Sequence, residues 1–193
     1  MTGGDRPSAG PLAVILAAGA GSRFLGPSHK LLATLRGRPV LRWAVEAPLA
    51  AGLPVLVVAG AVDVTDVLSG SAVRVIQNDR WIEGQATSLR VAVGVARAED
   101  HEAIVVGLGD QPFLAPAAWG AVASSPTPIA IATYGGRRGQ PVRLAAAVWD
   151  DLPETGDEGA RRLLASGRHP VAEVGCDGDP ADIDTEEDLR RWS

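Results

Sequence analysis

Short apolar runs alternate along the chain with stretches whose apolar residues recur every three or four positions. Residues 12–17, LAVILA, form a continuous apolar run, the pattern of a strand covered on both faces. Residues 55–59, 72–77 and 104–108 repeat that pattern with many β-branched side chains. Between these runs the period changes. Residues 39–51 carry Val40, Trp43, Ala44 and Ala47 at helical spacing and stop at Gly52, and residues 84–98 place Leu89, Val93 and Ala96 on one face. A further helix is predicted over residues 62–69. Strand and helix thus alternate through residue 108, which predicts a parallel sheet with helices on both faces. Beyond it, strands at 129–133 and 141–144 flank Tyr134-Gly-Gly-Arg-Arg-Gly139, whose composition is that of a turn and would introduce an antiparallel element. A helix over 159–165, a strand over 171–174 and a helix from Thr185 complete the reading.

In an open α/β sheet, ligands sit beyond the carboxyl ends of the strands, so the residues after each apolar run carry the chemistry. The first run empties into AGAGSRFLGPSHK, residues 18–30. Gly19 and Gly21 allow the main chain to approach a ligand closely and to aim N–H groups at an anion, while Arg23 and Lys30 supply positive charge. Lys30 is the sole lysine, in a chain that otherwise uses arginine. A compact ammonium on a flexible stem suits a phosphate. Two familiar glycine loops are excluded: Pro27 follows Gly26 where a P-loop needs lysine, and Phe24 occupies the third glycine position of a dinucleotide fingerprint.

Composition narrows the class. The chain has 193 residues, 46% of them hydrophobic, enough for one domain with a sizeable core. The polar, glycine-rich residues 1–10 read as a disordered lead, leaving 11–193 as the domain. A net charge of −5 argues against a nucleic-acid partner. No acidic residue lies between Asp5 and Glu46, where six cations fall, a local excess suited to a small anion. One cysteine, Cys176, excludes an intrachain disulfide and a cysteine-based zinc site. With no signal-type apolar segment and no membrane-length run, the expectation is a cytoplasmic protein with no membrane partner.

Three acidic segments are candidates. Asp110 leaves the fourth run through Gly107 and Gly109, and one or two such carboxylates suffice for Mg²⁺, which fills its shell with water and substrate phosphate. The alternative is a turn aspartate. Asp182 and Asp184, two residues apart, share one side of an extended segment, yet Thr185 and Asp188 equally spell a helix capping box. Residues 157–162, DEGARR, read either as a helix start or as part of a site, and the arginines of GGRRGQP either hold a polyanion or occupy a solvated turn. His29, His101 and His169 show no metal-type spacing and receive no metal or acid–base role.

Taken together, LAAGAGSRF with Lys30 downstream, NDRWIEGQATSLR from Asn78, LGDQPF from Leu108, GGRRGQPV from Gly135, GDEGARRLL from Gly156 and DIDTEEDL from Asp182 resemble one family in its order. It is the nucleotidyltransferases that make dinucleotide forms of the molybdenum cofactor, most closely the cytidylyltransferases. The resemblance implies a Rossmann-like three-layer α/β/α sandwich with a mostly parallel sheet. It also implies Mg²⁺-dependent transfer of CMP from CTP to the terminal phosphate of molybdopterin, with release of pyrophosphate. By that resemblance Leu16, Ala17, Ala18, Gly19, Ala20, Gly21 and Ser22 cradle the nucleotide, and Arg23 and Lys30 its phosphates. Asn78, Gly84 and Ser88 help bind base or ribose, and Asp110 with Asp184 holds the metal. Arg138, Gly139, Gln140, Pro141, Asp157 and Arg161 face the acceptor. A molybdoenzyme or its maturation chaperone is the implied onward partner. Leu-Ala-Ala-Gly at 16–19 resembles the cytidylyl branch, whereas the guanylyl branch tends to Leu-Ala-Gly-Gly. One departure is Leu25, inserted between Phe24 and Gly26, which lengthens the route to Lys30. The alternatives are a related enzyme using GTP or a sugar-phosphate acceptor, and a non-catalytic nucleotide-binding protein. Transfer between two phosphates needs no protein nucleophile, only alignment and charge neutralisation, so the lack of a Ser/His or Cys/His pair does not argue against an enzyme.

Overall fold

Alternate side chains of the first strand, β1 (Leu12–Ala17), feed two separate cores in the computed structural model, which describes residues 9–26 and 28–193. Ala13, Ile15 and Ala17 face one side and Leu12 and Val14 the other. The expected lead lies outside the described residues through residue 8, and Ala9 forms a parallel bridge with His101. A small hairpin, β2 (Thr34–Leu35) and β3 (Arg38–Pro39), leads into α1 (Val40–Ala50). There follow β4 (Val55–Ala59), α2 (Thr65–Leu68), β5 (Val73–Gln77), a 3₁₀ turn at Trp81–Glu83, α3 (Gln85–Ala98) and β6 (Ala103–Leu108). The second half holds α4 (Pro116–Ala123), β7 (Ile129–Tyr134), β8 (Arg137–Ala145), a 3₁₀ segment at Ala146–Asp151, α5 (Arg161–Ala165), β9 (Val171–Gly175) and α6 (Glu186–Trp192).

Seven strands form one sheet in the order β5-β4-β1-β6-β8-β7-β9. β1 pairs parallel with β4 and β6, β4 with β5, and β7 with β9, while β8 runs antiparallel to both β6 and β7. Helices α1, α2 and α4 cover one face through Leu41, Val45, Leu68, Trp119 and Val122. The other face is covered by α3, the 3₁₀ segment and α5 through Leu89, Val93, Trp149 and Leu163. This is the three-layer α/β/α sandwich expected. The wholly buried Trp119 ring lies against Gly107, where a Cβ would come within 2.7 Å of it, so a side chain there would overpack the layer.

Four local differences from the sequence reading have physical causes. The helix expected over 62–69 is the single turn α2, confined between Gly60 and Gly70 in a stretch rich in β-branched residues. Helix α4 gave no periodic signal because its residues are apolar or small nearly all round. The β2–β3 hairpin is too short for a period and turns on Arg36 and Gly37, both at positive φ. In GGRRGQP only Gly135 and Gly136 form the turn, each at positive φ. Arg137 already begins the nine-residue strand β8, so the arginines sit on a strand.

Candidate active site

The glycine loop is held from below by its neighbours. Gly109 N–H donates to Leu16 O at 3.0 Å and Ala61 N–H to Ala18 O at 3.1 Å, tying the end of β1 to the segments after β6 and β4. Of the two glycines, only Gly21 takes positive φ (+62°), and a Cβ there would lie 2.9 Å from His29 Nε2. His29 braces the loop from the far side. Its Nδ1 accepts from Leu31 N–H at 3.3 Å, which leaves the proton on Nε2 to donate to Gly19 O at 3.0 Å. Burial, the leading influence, lowers the His29 pKa and favours that neutral ring. Its positioning role was invisible in the sequence because its partners are backbone atoms.

Four charged side chains of the loop and two later segments converge. Lys30 Nζ lies 2.5 Å from Asp110 Oδ2 and 2.8 Å from Asp184 Oδ1. Arg23 Nη2 stands 3.0 Å from Asp184 Oδ2 with most of its length in solvent. Burial works against the Lys30 ammonium, but Asp110 and Asp184 outweigh it and hold its pKa above the usual lysine range. Leu25, the inserted residue, points into solvent, while Phe24 beside it is packed, so the extra length does not keep Lys30 from the carboxylates.

Asp184 owes its position to both readings of its segment. Ile183 N–H donates to Asp110 O at 2.9 Å, and the Ile183 side chain is wholly buried with Phe24, Leu35 and Val40. Thr185 Oγ1 accepts from Asp188 N–H at 3.1 Å, and Asp188 Oδ2 accepts from the N–H groups of Thr185 at 2.9 Å and Asp184 at 3.1 Å. The capping box is therefore real, and it orients the carboxylate beside it. Asp182 faces the same region, held by Gln111 Nε2 at 2.7 Å. Burial, then the neighbouring Asp110, raises its carboxyl pKa. Gln111 was given no role of its own in the sequence reading.

The donor set fits a divalent cation such as Mg²⁺. Among the described residues, Asp110 Oδ1 is buried without a hydrogen-bond partner, an acceptor suited to a cation. No group of three or more His, Cys, Asp or Glu side chains among them forms a metal cage.

Arg23, Lys30, Asp110 and Asp184 line a cavity of about 610 Å³ together with Leu16 to Ser22. Trp81, Ile82, Gly84, Gln85, Ser88 and Asp157 also line it. Asn78 does not line it. Its buried Nδ2 donates to the hydroxyls of Thr87 and Ser88, each at 2.9 Å, and its Oδ1 accepts from Arg80 N–H at 3.0 Å. Asn78, expected to help bind base or ribose, engages its amide in holding α3. Gly84, at φ +104°, lets the chain meet Gly156, and a Cβ there would fall 2.4 Å from the Gly156 carbonyl carbon. Gly156 N–H donates to Glu83 O at 2.8 Å and Ala86 N–H to Gly156 O at 2.9 Å, completing a backbone clasp. Arg90 secures the same segment by donating to the carbonyls of Trp149, Leu152 and Pro153.

A second cavity, of about 330 Å³, adjoins the first at Leu16, Gln85 and Leu108. Leu89, Val106, Ile131 and Val142 give it an apolar floor, and Arg138, Gly139, Gln140, Glu158 and Arg161 its polar rim. Of the residues expected to face an acceptor, these four (Arg138, Gly139, Gln140 and Arg161) meet here. Asp157 instead lines the first cavity, since the Gly84–Gly156 clasp carries it there, and Pro141 is buried beyond both. Arg138 Nε also donates to Glu173 at 2.8 Å, which fixes its reach. Ile82 and Gln85 are cleft residues that the sequence reading did not single out, and Trp81 lines the cleft beside them. Their signal was the position of their segment after β5.

A family model described as "MobA-like NTP transferase domain" matches residues 13–172. Among solved structures, Rv0371c from Mycobacterium tuberculosis H37Rv is 31% identical, with 96% of this chain and 98% of that one covered and a TM-score of 0.80. A nucleotidyl transferase from Methanothermobacter thermautotroptrophicus (Mth528) is 31% identical over 93% of this chain and 94% of its own, with a TM-score of 0.79. Rv0371c has also been solved as a complex with manganese, again 31% identical, covering 95% and 98% of the two chains with a TM-score of 0.79. The bifunctional protein GlmU of Rhizobium johnstonii is 31% identical over 105 residues, 53% of this chain. The match spans 23% of that protein's length. No helix among the described residues is long and apolar enough to cross a membrane.

Proposed function

The chain belongs to the MobA-like NTP transferase domain family and is a nucleotidyltransferase, and from that premise we propose that it transfers CMP from CTP to the terminal phosphate of molybdopterin. One observation carries the reading: a cleft with a glycine loop, two cations and two carboxylates opens directly into an apolar cavity rimmed by arginines. An apolar floor suits a flat heterocycle better than a polyhydroxylated sugar, which favours a pterin over a sugar phosphate as acceptor.

In this reading the nucleotide lies along residues 16–22, its phosphates facing the loop N–H groups, Arg23 and Lys30. Arg138 and Arg161 hold the acceptor phosphate at the junction of the two cavities, where Leu16, Gln85 and Leu108 meet. An oxygen of that phosphate, ionised at neutral pH, attacks the α-phosphorus in line with the bond to the β-phosphate. The new P–O bond forms as the old one breaks, and the electron pair leaves with pyrophosphate. Lys30 and Arg23 neutralise the departing charge, and alignment across the junction supplies the remainder of the rate. Asp110 and Asp184 would hold Mg²⁺, which when bound supplies Lewis-acid neutralisation at the phosphates.

The test is pyrophosphate release by purified protein with Mg²⁺, each of the four NTPs in turn, and either molybdopterin or sugar phosphates. CTP with molybdopterin is expected to be the productive pair, and Asp110→Ala to lower its rate by about 10²-fold or more. An unaffected Asp110→Ala enzyme would remove the catalytic assignment. CTP binding without pyrophosphate release on any acceptor would identify a nucleotide-binding protein instead.

A further inference from the structure

The four oxygens of Asp110 and Asp184 are unequally engaged. Lys30 Nζ holds Asp110 Oδ2 at 2.5 Å and Asp184 Oδ1 at 2.8 Å, and Arg23 holds Asp184 Oδ2 at 3.0 Å. Only the fourth oxygen, the buried Asp110 Oδ1, has no hydrogen-bond partner among the described residues. A divalent cation held by these carboxylates would compete with the ammonium for their oxygens, and ammonium and cation repel each other at that range. We infer that Lys30 is an exchangeable counter-ion. It neutralises Asp110 and Asp184 while the cleft is empty and moves onto the nucleotide phosphates as the cation takes over the carboxylates, so that cation and nucleotide bind as a coupled pair.

The inference rests on the reading of Asp110 and Asp184 as metal ligands and adds an order to it. Lys30 is suited to the exchange. Its side chain is only 12% exposed, so the pair is shielded, yet an ammonium on four methylenes can swing between acceptors without the fixed geometry of a guanidinium. It also lines the same cavity as the glycine loop, so the loop's phosphate position and the carboxylates lie within one cleft. A cation alone must displace the ammonium into a cleft with no replacement anion. A nucleotide provides that anion, and by linkage each ligand then raises the affinity of the other by the same factor.

Mn²⁺ binding, followed by the electron paramagnetic resonance of the free ion, tests this with and without a CTP analogue that cannot be cleaved between its α- and β-phosphates. In the wild-type chain the analogue is expected to tighten Mn²⁺ binding by about tenfold or more. Lys30→Met is expected to bind Mn²⁺ without nucleotide about tenfold more tightly than wild type, and to lose that much of the enhancement. Arg23→Gln, which frees the exposed side of Asp184, should move the same way by less. Because Lys30→Met leaves the Asp110 carboxylate without a cation, and Asp184 with Arg23 alone, and can impair folding, wild-type protein labelled with [¹⁵N]lysine provides a second readout. Its single side-chain nitrogen signal should stay in place with Mg²⁺ alone and shift when the analogue is added.

Equal or weaker Mn²⁺ binding by folded Lys30→Met, or a lysine signal that shifts fully with Mg²⁺ alone, overturns the exchange and leaves the transfer reading intact. No Mn²⁺ binding by wild type in either condition overturns both the exchange and the metal assignment beneath it.

Discussion

Replacing Gly84 with alanine perturbs two things whose costs can be told apart. The backbone there sits at φ +104° and ψ 169°, a region essentially confined to glycine, and any side chain pays about 1–3 kcal/mol to occupy it. The added Cβ would also lie 2.4 Å from the carbonyl carbon of Gly156 and 2.5 Å from its oxygen. Both are main-chain atoms and cannot swing aside, so overpacking adds about 1–3 kcal/mol more. Gly156→Ala is the control. Its φ is also positive, at +98°, but its Cβ would meet nothing within 4 Å, so only the backbone cost applies. Urea denaturation of both variants, analysed by linear extrapolation, should therefore show Gly84→Ala less stable than Gly156→Ala by about 1–3 kcal/mol. The contact also bears on both cavities, because Gly84 and Gln85 line the first and Gln85 the second. Gly84→Ala is accordingly expected to raise KM for nucleotide and acceptor together. Equal destabilisation of the two variants would refute the claim that close backbone approach, rather than chain flexibility, requires glycine at position 84.

Arg90→Met keeps the length of the side chain but removes the donors to three carbonyls of residues 149–153, and should cost about 2–3 kcal/mol with a matching fall in urea midpoint. An unchanged midpoint would mean that water replaces the arginine at no cost. Thr185→Ala should cost about 1 kcal/mol through loss of the cap and weaken Mn²⁺ binding in the presence of nucleotide by about tenfold, since the cap also fixes Asp184. Lost stability with unchanged metal affinity would separate the two roles. Tyr134 is the only tyrosine, and burial pushes its phenol up to about 12. Because the folded value exceeds the unfolded one of about 10, its contribution to stability is complete below pH 10 and lost as pH rises towards 12. Absorbance titration should show no tyrosinate in the native protein at pH 10 and about half in the denatured chain, and a half-ionised native phenol would contradict the burial.

The parallel half of the sheet was readable because strands covered on both faces leave unmixed apolar runs, and α1 and α3 carry regular apolar faces. Lys30, Asp110 and Asp184 were readable as chemistry for a different reason: each follows or flanks an element end where a charged residue has no packing role. The geometry joining them was not. Sequence spacing says nothing of an 80-residue separation closed by an ammonium between two carboxylates. The bonds of Asn78 were not legible, because an amide beyond a strand looks the same whether it meets a ligand or two hydroxyls of the next helix. His29 and Arg90 act on carbonyls, and every residue has one, so neither leaves a pairwise trace. α4 escaped because a helix whose exposed residues, Pro116, Ala117 and Ala121, are themselves apolar has no polar face to mark its period.

The reversed direction of β8 has a consequence for how specificity can be changed. Running against β6, it delivers its opening residues, Arg138 to Gln140, to the sheet edge where β1 and β6 deliver their closing ones. The chain thus crosses the cleft in two passes. Residues 16–30 and 81–110 furnish most of the proposed nucleotide wall, and residues 131–165 furnish much of the proposed acceptor wall. A graft of the second pass from a relative with another acceptor would meet an intact first pass across Leu16, Gln85 and Leu108, so the acceptor could be exchanged while the choice of nucleotide is inherited unchanged.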